Sequence, residues 1–281
     1  GLSAVDGEVR ARQADAALSR RVIASGDRVA IVVPGSGSHG DERARREAAR
    51  VQRDVLSFAY GALRVGVVPV MVNPALTSAE RDVLIADAAP SLVLDRAADL
   101  AELLAGADGE MDLADYPLAR PMHFTSGTTG RSKGVWTGIL DDTDARSMWL
   151  DEIEPWSLCS DDVMLTHGPL AHSAPLRFGI ATLLAGGSVL LPGWFDARVT
   201  AQALVDFRPT VALAVPSHLQ RLFALPGDVP ASPYRLLIHA GAACPVPLKR
   251  RIHAWAGVER TVEFYGATEG QFSLCRGVEW E

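Results

Sequence analysis

The sequence is poor in cysteine and in aromatic residues. Its 281 positions include three cysteines, and 6% of the residues are aromatic. Cys159, Cys244 and Cys275 have neither the spacing of a metal site nor the even number of a disulfide framework. Unpaired cysteines are typical of proteins in a reducing compartment, so we expect a cytoplasmic protein.

The sequence also lacks an excess of basic charge and any long apolar run. It has 27 basic and 34 acidic residues, and its formal net charge is -7. Because no basic field attracts phosphate backbones, we expect no nucleic-acid partner. No apolar stretch reaches the length of a membrane span, and residues 1–6 do not form a signal region, so we expect no stable membrane insertion. With 48% hydrophobic residues, the chain is long enough to bury a sizeable core.

Short apolar runs alternate with helical patterns along most of the chain. This alternation predicts an α/β fold with two mostly parallel β-sheets flanked by helices. Thr77 and Ser217 each precede a glutamate or glutamine by three residues, which predicts two helices that begin with capping boxes. The first two helices are expected over 8–25 and 41–64. The predicted strands are 28–33, 67–72, 91–94, 122–125, 163–166, 188–191, 211–215, 235–239 and 261–264.

Gly35, Gly37 and Gly40 have the spacing of a dinucleotide-binding turn. Such a site also needs an acidic residue after the next strand to bind the ribose. Here that strand is followed by Asn73 and Pro74. An NAD(P)-binding oxidoreductase is therefore an alternative that the sequence disfavours.

A phosphate-binding loop is predicted from Phe124 to Gly134, where three glycines, five hydroxyl residues and Lys133 occur within eleven positions. Glycines let backbone N–H groups approach an anion, hydroxyls donate further hydrogen bonds, and a lysine adds positive charge. The glycine spacing is not that of a P-loop, and the alternative is an ordinary surface turn. The candidate ligand-binding residues are Thr125, Ser126, Gly127, Thr128, Thr129, Gly130 and Lys133.

Two more candidate segments directly follow predicted strands, where ligands bind in parallel α/β folds. In the first, Tyr265 and Gly266 precede Thr268 and Glu269, which gives an aromatic ring for a base, a hydroxyl for a phosphate and a carboxylate for Mg²⁺. The alternative is a strand-end turn with a solvated glutamate. In the second, the small residues Gly241, Ala242 and Ala243 would let a flat ring lie against the backbone, or would serve close packing.

These segments resemble motifs of the adenylate-forming superfamily, which includes acyl-CoA synthetases, luciferases and the adenylation domains of peptide synthetases. The loop from Phe124 to Gly134 resembles the family's signature loop, although Ser132 stands where the family usually has proline. Residues 265–269 resemble its Tyr-Gly-x-Thr-Glu motif, and residues 241–243 resemble its adenine wall. Residues 169–172 resemble a Pro-Leu-x-His segment near the acyl and α-phosphate groups, so His172 is the matching residue.

The resemblance implies an ATP-dependent acyl-CoA synthetase that converts a fatty or aryl carboxylic acid first to an acyl-adenylate and then to a CoA thioester. ATP, Mg²⁺ and coenzyme A are the expected cofactors and co-substrates. Catalytic roles are expected for Lys133, His172, Thr268 and Glu269, with Glu269 as the metal ligand. Leu176, Phe178, Trp194 and Leu219 are candidates for an acid pocket or for the core.

The resemblance also implies a domain arrangement. Residues 1–281 would form the N-terminal adenylation domain, with a subdomain boundary near 105–122, and the small C-terminal lid domain would lie outside this chain. On its own the chain is expected to bind nucleotide weakly and to complete neither half-reaction well. Two alternative functions stay open, an adenylation domain that loads a carrier protein and a non-catalytic nucleotide-binding module. Whether the protein forms a homodimer is also open.

Overall fold

The fold comes from a computed structural model that describes residues 1–32, 41–105, 113–125, 132–268 and 272–280. The described strands are β1 (Leu2–Ser3), β2 (Arg28–Ile31), β3 (Val68–Met71), β4 (Leu92–Leu94), β5 (Met122–Thr125), β6 (Lys133–Val135), β7 (Val163–Thr166), β8 (Ser188–Leu190), β9 (Val211–Ala214), β10 (Leu236–His239), β11 (Thr261–Gly266) and β12 (Phe272–Arg276). The described helices are α1 (Ala4–Arg20), α2 (Glu42–Arg64), α3 (Ser78–Ala88), α4 (Ala97–Ala105), α5 (Asp142–Ile153), α6 (Ser173–Leu184), α7 (Ala197–Asp206), α8 (Pro216–Phe223), α9 (Val246–Ala256) and α10 (Gly277–Trp280).

The strands form two sheets, which confirms the predicted α/β fold. One sheet has seven strands in the order β1-β8-β7-β9-β10-β11-β12, and the other has five in the order β4-β2-β3-β5-β6. All nine predicted strands are present and run parallel to their neighbours in this set. The three unpredicted strands, β1, β6 and β12, are antiparallel and lie at sheet edges.

The helices α1, α2 and α6 pack together, and α2 contacts β3 of the five-stranded sheet while α6 contacts β7 and β8 of the seven-stranded sheet. The second half of α2 is buried because it is rich in alanine, leucine and aromatic side chains. At Gly61 the α1 backbone comes so close that an added Cβ would lie 2.6 Å from the carbonyl oxygen of Ala11. A larger residue at position 61 would therefore push the two helices apart.

The helix boundaries show which local signals determined the structure. The capping box at Thr77 and Glu80 is present, as predicted. The one predicted at Ser217 is wrong, because α8 begins at Pro216, whose fixed φ suits the first helical position, and Ser217 lies inside the first turn. The first helix begins at Ala4, not at residue 8, because the Ser3 side chain accepts a hydrogen bond from the Asp6 N–H and caps it.

The residues that lead into β5 are tied to two helices. The N–H of Leu118 donates to the carbonyl of Leu63 at 2.8 Å, and the buried Trp149 indole on α5 donates to the Pro117 carbonyl at 2.9 Å. The predicted subdomain boundary near 105–122 stays a prediction, and residues 106–112 lie outside the described residues. Among the described helices, none has the length and apolarity needed to cross a membrane.

Candidate functional site

A cavity of about 480 Å³ lies where the parallel strands of the seven-stranded sheet end. It is lined by residues that follow β7, β9, β10 and β11, together with parts of α5 and α6. We call it the strand-end cavity. Its position is the one expected for a ligand site, because the carboxyl ends of parallel strands meet along one edge of a sheet.

Four of the predicted site residues line the strand-end cavity. They are His172, Gly241, Gly266 and Thr268, which come from three separate segments of the chain. Gly241 has a φ of +83°, and an added Cβ would lie 3.2 Å from a Val215 methyl group. Glycine suits this position for two reasons: it adopts a positive φ without strain, and it has no Cβ to crowd Val215.

His172 directly precedes α6 and has an extended backbone. Its N–H donates to the Pro169 carbonyl at 3.1 Å, while its side chain forms no capping hydrogen bond and is exposed. Ser173 and Ala174, the first residues of α6, line the strand-end cavity beside it. An exposed imidazole next to a helix N-terminus suits contact with an anionic ligand.

Tyr265 and the Ala242–Ala243 pair do not belong to the described lining of the strand-end cavity. Along β11 the Phe264 side chain lines the cavity, while Tyr265, which alternates to the other face, is 82% exposed. The register that pairs His239 with Glu263 brings Gly241 and Tyr265, each two residues further on, to the same edge of the sheet. An exposed aromatic ring and an exposed small-residue segment thus occur side by side.

Thr125 and Lys133 face each other across an antiparallel strand pair. The register pairs Thr125 of β5 with Lys133 of β6, and Lys133 is exposed. The sequence has only one other lysine, Lys249, which is buried and forms an ion pair with Glu263. Neither Thr125 nor Lys133 belongs to the described lining of the strand-end cavity. The predicted site residues Ser126, Gly127, Thr128, Thr129, Gly130 and Glu269 lie outside the described residues.

A cluster of charged residues ties β5 to the strand-end cavity. Arg120, just before β5, donates to Glu152 Oε1 at 2.8 Å, and Arg177 of α6 donates to the same oxygen. Glu152 and Arg177 are buried and line the cavity. His123 of β5 is also buried, and burial, with Arg177 and His172 nearby, lowers its pKa to about 4. The strand that leads into the predicted phosphate loop is therefore anchored at the edge of this cavity.

Apart from Phe178, sequence reasoning did not single out the other side chains that give the strand-end cavity its character. An aromatic group is formed by Phe178 with Trp156 at 5.1 Å and with Phe264 at 6.2 Å between ring centroids. His167 and His218 line another part of the cavity. The position of His167 directly after β7 was the available signal, because residues after parallel strands are the ones that meet a ligand.

Of the four acid-pocket candidates, Phe178 alone is part of the described lining of the strand-end cavity. Leu176 and Trp194 are buried elsewhere, and Leu219 borders a small internal void beneath His218. No group of three or more potential metal ligands occurs among the residues that the structure describes.

The comparison with protein families identifies the group to which this fold and site belong. The model of the AMP-binding enzymes matches residues 121–280, which include β5, the strand-end cavity and β11. The chain belongs to the AMP-binding enzyme family. This confirms the resemblance to adenylate-forming enzymes that the loop and the Tyr-Gly-x-Thr-Glu motif indicated.

Individual AMP-binding enzymes resemble this chain over most of its length. A feruloyl-CoA synthase from Amycolatopsis is 32% identical over 90% of this chain and 54% of that protein. A long-chain-fatty-acid–CoA ligase from Mycobacterium tuberculosis is 26% identical over 88% of this chain and 51% of that protein. ATP-bound MatB from Rhodopseudomonas palustris has the same fold, with a TM-score of 0.73 and 24% identity over 97% of this chain and 56% of that one. The chain thus spans about half the length of these relatives.

Proposed function

We propose that this chain provides the nucleotide- and acid-binding part of an ATP-dependent acyl-CoA ligase. The observation that carries the proposal is the strand-end cavity, which brings His172, Gly241, Gly266 and Thr268 together from three segments. The charged cluster around Glu152 supports it, because it anchors the strand that leads into the predicted phosphate loop at the same cavity.

In this proposal the nucleotide lies across the ends of β10 and β11. Adenine stacks on the exposed ring of Tyr265 and rests against Gly241, Ala242 and Ala243. The Thr268 hydroxyl donates to an α-phosphate oxygen. The β- and γ-phosphates are bound by the loop from Thr125 to Lys133.

The chemistry proceeds in two displacements. A carboxylate oxygen of the acid attacks the α-phosphorus of ATP, and the bond to pyrophosphate breaks to give an acyl-adenylate. The thiol of coenzyme A then attacks the acyl carbon, loses its proton, and displaces AMP. His172 orients the carboxylate, and Thr268 stabilises charge that develops at the α-phosphate.

Magnesium is the metal that this reaction implies. Mg²⁺ prefers oxygen ligands and is usually held by one or two carboxylates together with phosphates, so Glu269 is a suitable ligand by residue type. When bound, the ion neutralises negative charge on the phosphates. Thr268, the described residue that precedes Glu269, lines the strand-end cavity.

The feruloyl-CoA synthase and the long-chain-fatty-acid–CoA ligase are both named for the formation of a CoA thioester. These two relatives therefore favour coenzyme A over a carrier protein as the acceptor. They do not identify the acid, because one is named for feruloyl-CoA and the other for long-chain fatty acids. Family membership also favours this function over the dinucleotide-binding alternative, whose glycines at 35–40 lie outside the described residues.

The direct test is ATP binding by the chain and by Lys133→Gln. Replacing the lysine removes a charge-assisted hydrogen bond to phosphate, so the Kd for magnesium ATP should rise by about tenfold or more in titration calorimetry. Arg43→Gln is the matched control, because it removes the same charge from an exposed position on α2. Equal ATP affinities in the parent chain and Lys133→Gln would contradict the proposed role of the loop.

A further inference from the structure

Two histidines form an unusual part of the strand-end cavity wall. His167 directly follows β7, and His218 lies in the first turn of α8, just after the neighbouring strand β9. Their ring centroids are 5.8 Å apart, and both side chains line the cavity. Two imidazoles that follow adjacent strands therefore lie in the same part of the cavity wall.

Neither imidazole has a hydrogen-bond partner among the residues that the structure describes. The Nδ1 atoms of His167 and His218 are both buried without a partner. His167 is only 6% exposed, and its ring meets Phe195 edge-on at 5.3 Å. The His218 ring stacks on Phe195 at 4.1 Å. Buried polar groups in native proteins are nearly always paired, so the two rings keep hydrogen-bonding capacity that no described group of the protein uses.

The two imidazoles are neutral at physiological pH. Burial lowers the pKa of His167 to about 3, with a smaller effect from His218. Burial lowers the pKa of His218 to about 4, and the neighbouring Arg221 guanidinium adds to this effect. A neutral imidazole offers one N–H donor and one acceptor nitrogen. It can therefore pair with a hydroxyl, which both donates and accepts, or donate to a carbonyl oxygen.

The aromatic part of the same cavity suits a flat ligand. Trp156, Phe178 and Phe264 contact one another in tilted or edge-on arrangements, with centroids 5.1 to 6.2 Å apart. Rings of this kind pack well against another ring. An extended alkyl chain would fill such space, but it would leave both histidines without a hydrogen bond, which carries a free-energy cost.

We propose that His167 and His218 form the specificity wall of the strand-end cavity and select a ring-bearing carboxylic acid with a hydroxyl or carbonyl oxygen. The inference rests on the proposed function, because it assigns the substrate class of the same acid-activating site. The carboxylate lies towards His172 and Thr268. The ring packs against the aromatic group, and its oxygen exchanges hydrogen bonds with the two imidazoles.

The test compares acids that differ by one oxygen. Dissociation constants are measured by calorimetry, with a saturating non-hydrolysable ATP analogue, for cinnamic acid, its three monohydroxy derivatives and decanoic acid. At least one hydroxy acid should bind about tenfold more tightly than cinnamic acid, as expected for one or two additional hydrogen bonds. Decanoic acid should bind more weakly than that hydroxy acid.

Substitutions then assign the preference to the histidines. His218→Phe keeps a ring against Phe195 but removes the hydrogen bond, so the hydroxy acid should lose its advantage while affinity for the ATP analogue is unchanged. His218→Gln, whose amide retains hydrogen-bonding capacity, should keep part of the preference. His167→Phe is the second removal variant, and His253→Phe, at a buried histidine of α9 outside the cavity lining, is the control.

The possible failures are distinguishable. If the chain binds the ATP analogue but no hydroxy acid is preferred, or if the preference survives in both His218→Phe and His167→Phe, the specificity wall is wrong and the proposed function stands. If the parent chain does not bind the ATP analogue, the proposed function fails and this inference fails with it. Thermal unfolding of each variant identifies any loss of binding that is caused by loss of folding.

Discussion

Two groups of polar side chains meet the strand-end cavity, and they differ in how their hydrogen bonds are satisfied. In the cluster of Arg120, Glu152 and Arg177, both guanidinium groups donate to one carboxylate oxygen. The pair of His167 and His218 has no hydrogen bond within the described residues. The first arrangement fits a structural role, in which the cluster holds the strand before the predicted phosphate loop in place, and the second fits the proposed ligand-binding role of the histidines.

The largest effect is expected at the paired cluster. Glu152→Ala removes the carboxylate that the buried Arg177 and the partly buried Arg120 share, so the free energy of unfolding should fall by about 3–5 kcal/mol. Urea unfolding measures this change. The matched control is Glu42→Ala, which removes the exposed partner of Arg46 and should cost less than about 1 kcal/mol. Similar losses in the two variants would mean that the cluster does not anchor β5.

The second prediction concerns the pH dependence of stability. His123 and His167 are neutral in the folded protein because burial lowers their pKa values to about 4 and about 3. In the unfolded chain they titrate near 6.5, so below this pH the unfolded state binds protons that the folded state does not. Stability should therefore fall as the pH decreases from 6.5, by up to about 1.4 kcal/mol per pH unit for each histidine.

Unfolding by urea at several values between pH 7.5 and 5 checks this prediction. Above about pH 7.5 these two groups should contribute almost no slope, because both states are then nearly neutral. His167→Phe should make the fall at lower pH less steep. An unchanged slope in that variant would show that His167 does not remain neutral in the folded protein.

The smallest effect on the free energy of unfolding is expected at His167 and His218, which lack a hydrogen-bond partner. There the expected change is a gain in stability. His218→Phe replaces a half-buried polar ring, whose buried Nδ1 lacks a partner, with an apolar ring, so the free energy of unfolding should rise by about 1 kcal/mol. The same variant should lose its preference for oxygenated acids. A loss of stability comparable to that of Glu152→Ala would mean that His218 has a structural role instead of a ligand-binding one.

The parallel core of the fold could be predicted from the sequence, while its edges could not. The nine parallel strands are apolar runs bounded by turn residues, and this pattern is visible without tertiary information. The strands β1 and β6 have only two and three residues, and Lys133 and Gly134 of β6 are polar or small and exposed. Edge strands of this kind depend on a neighbouring strand and have little pattern of their own.

The candidate site was likewise predictable only in part. Strand ends and motif spacing identified His172, Gly241, Gly266 and Thr268, which share the strand-end cavity. Arg120, Glu152 and Arg177 are far apart in the sequence and meet only through the packing of β5, α5 and α6. His167 and His218 were missed because neither belongs to one of the motifs that identified the other residues.

The most direct test of the account is a crystal structure of the chain with a non-hydrolysable acyl-adenylate analogue that carries a hydroxylated ring. The account predicts adenine against Tyr265 and Gly241, the phosphate replacement within hydrogen-bonding distance of the Thr268 hydroxyl, and the ring oxygen against His167 or His218. An analogue bound away from the ends of β10 and β11, or one whose acyl group lies outside the strand-end cavity, would contradict it.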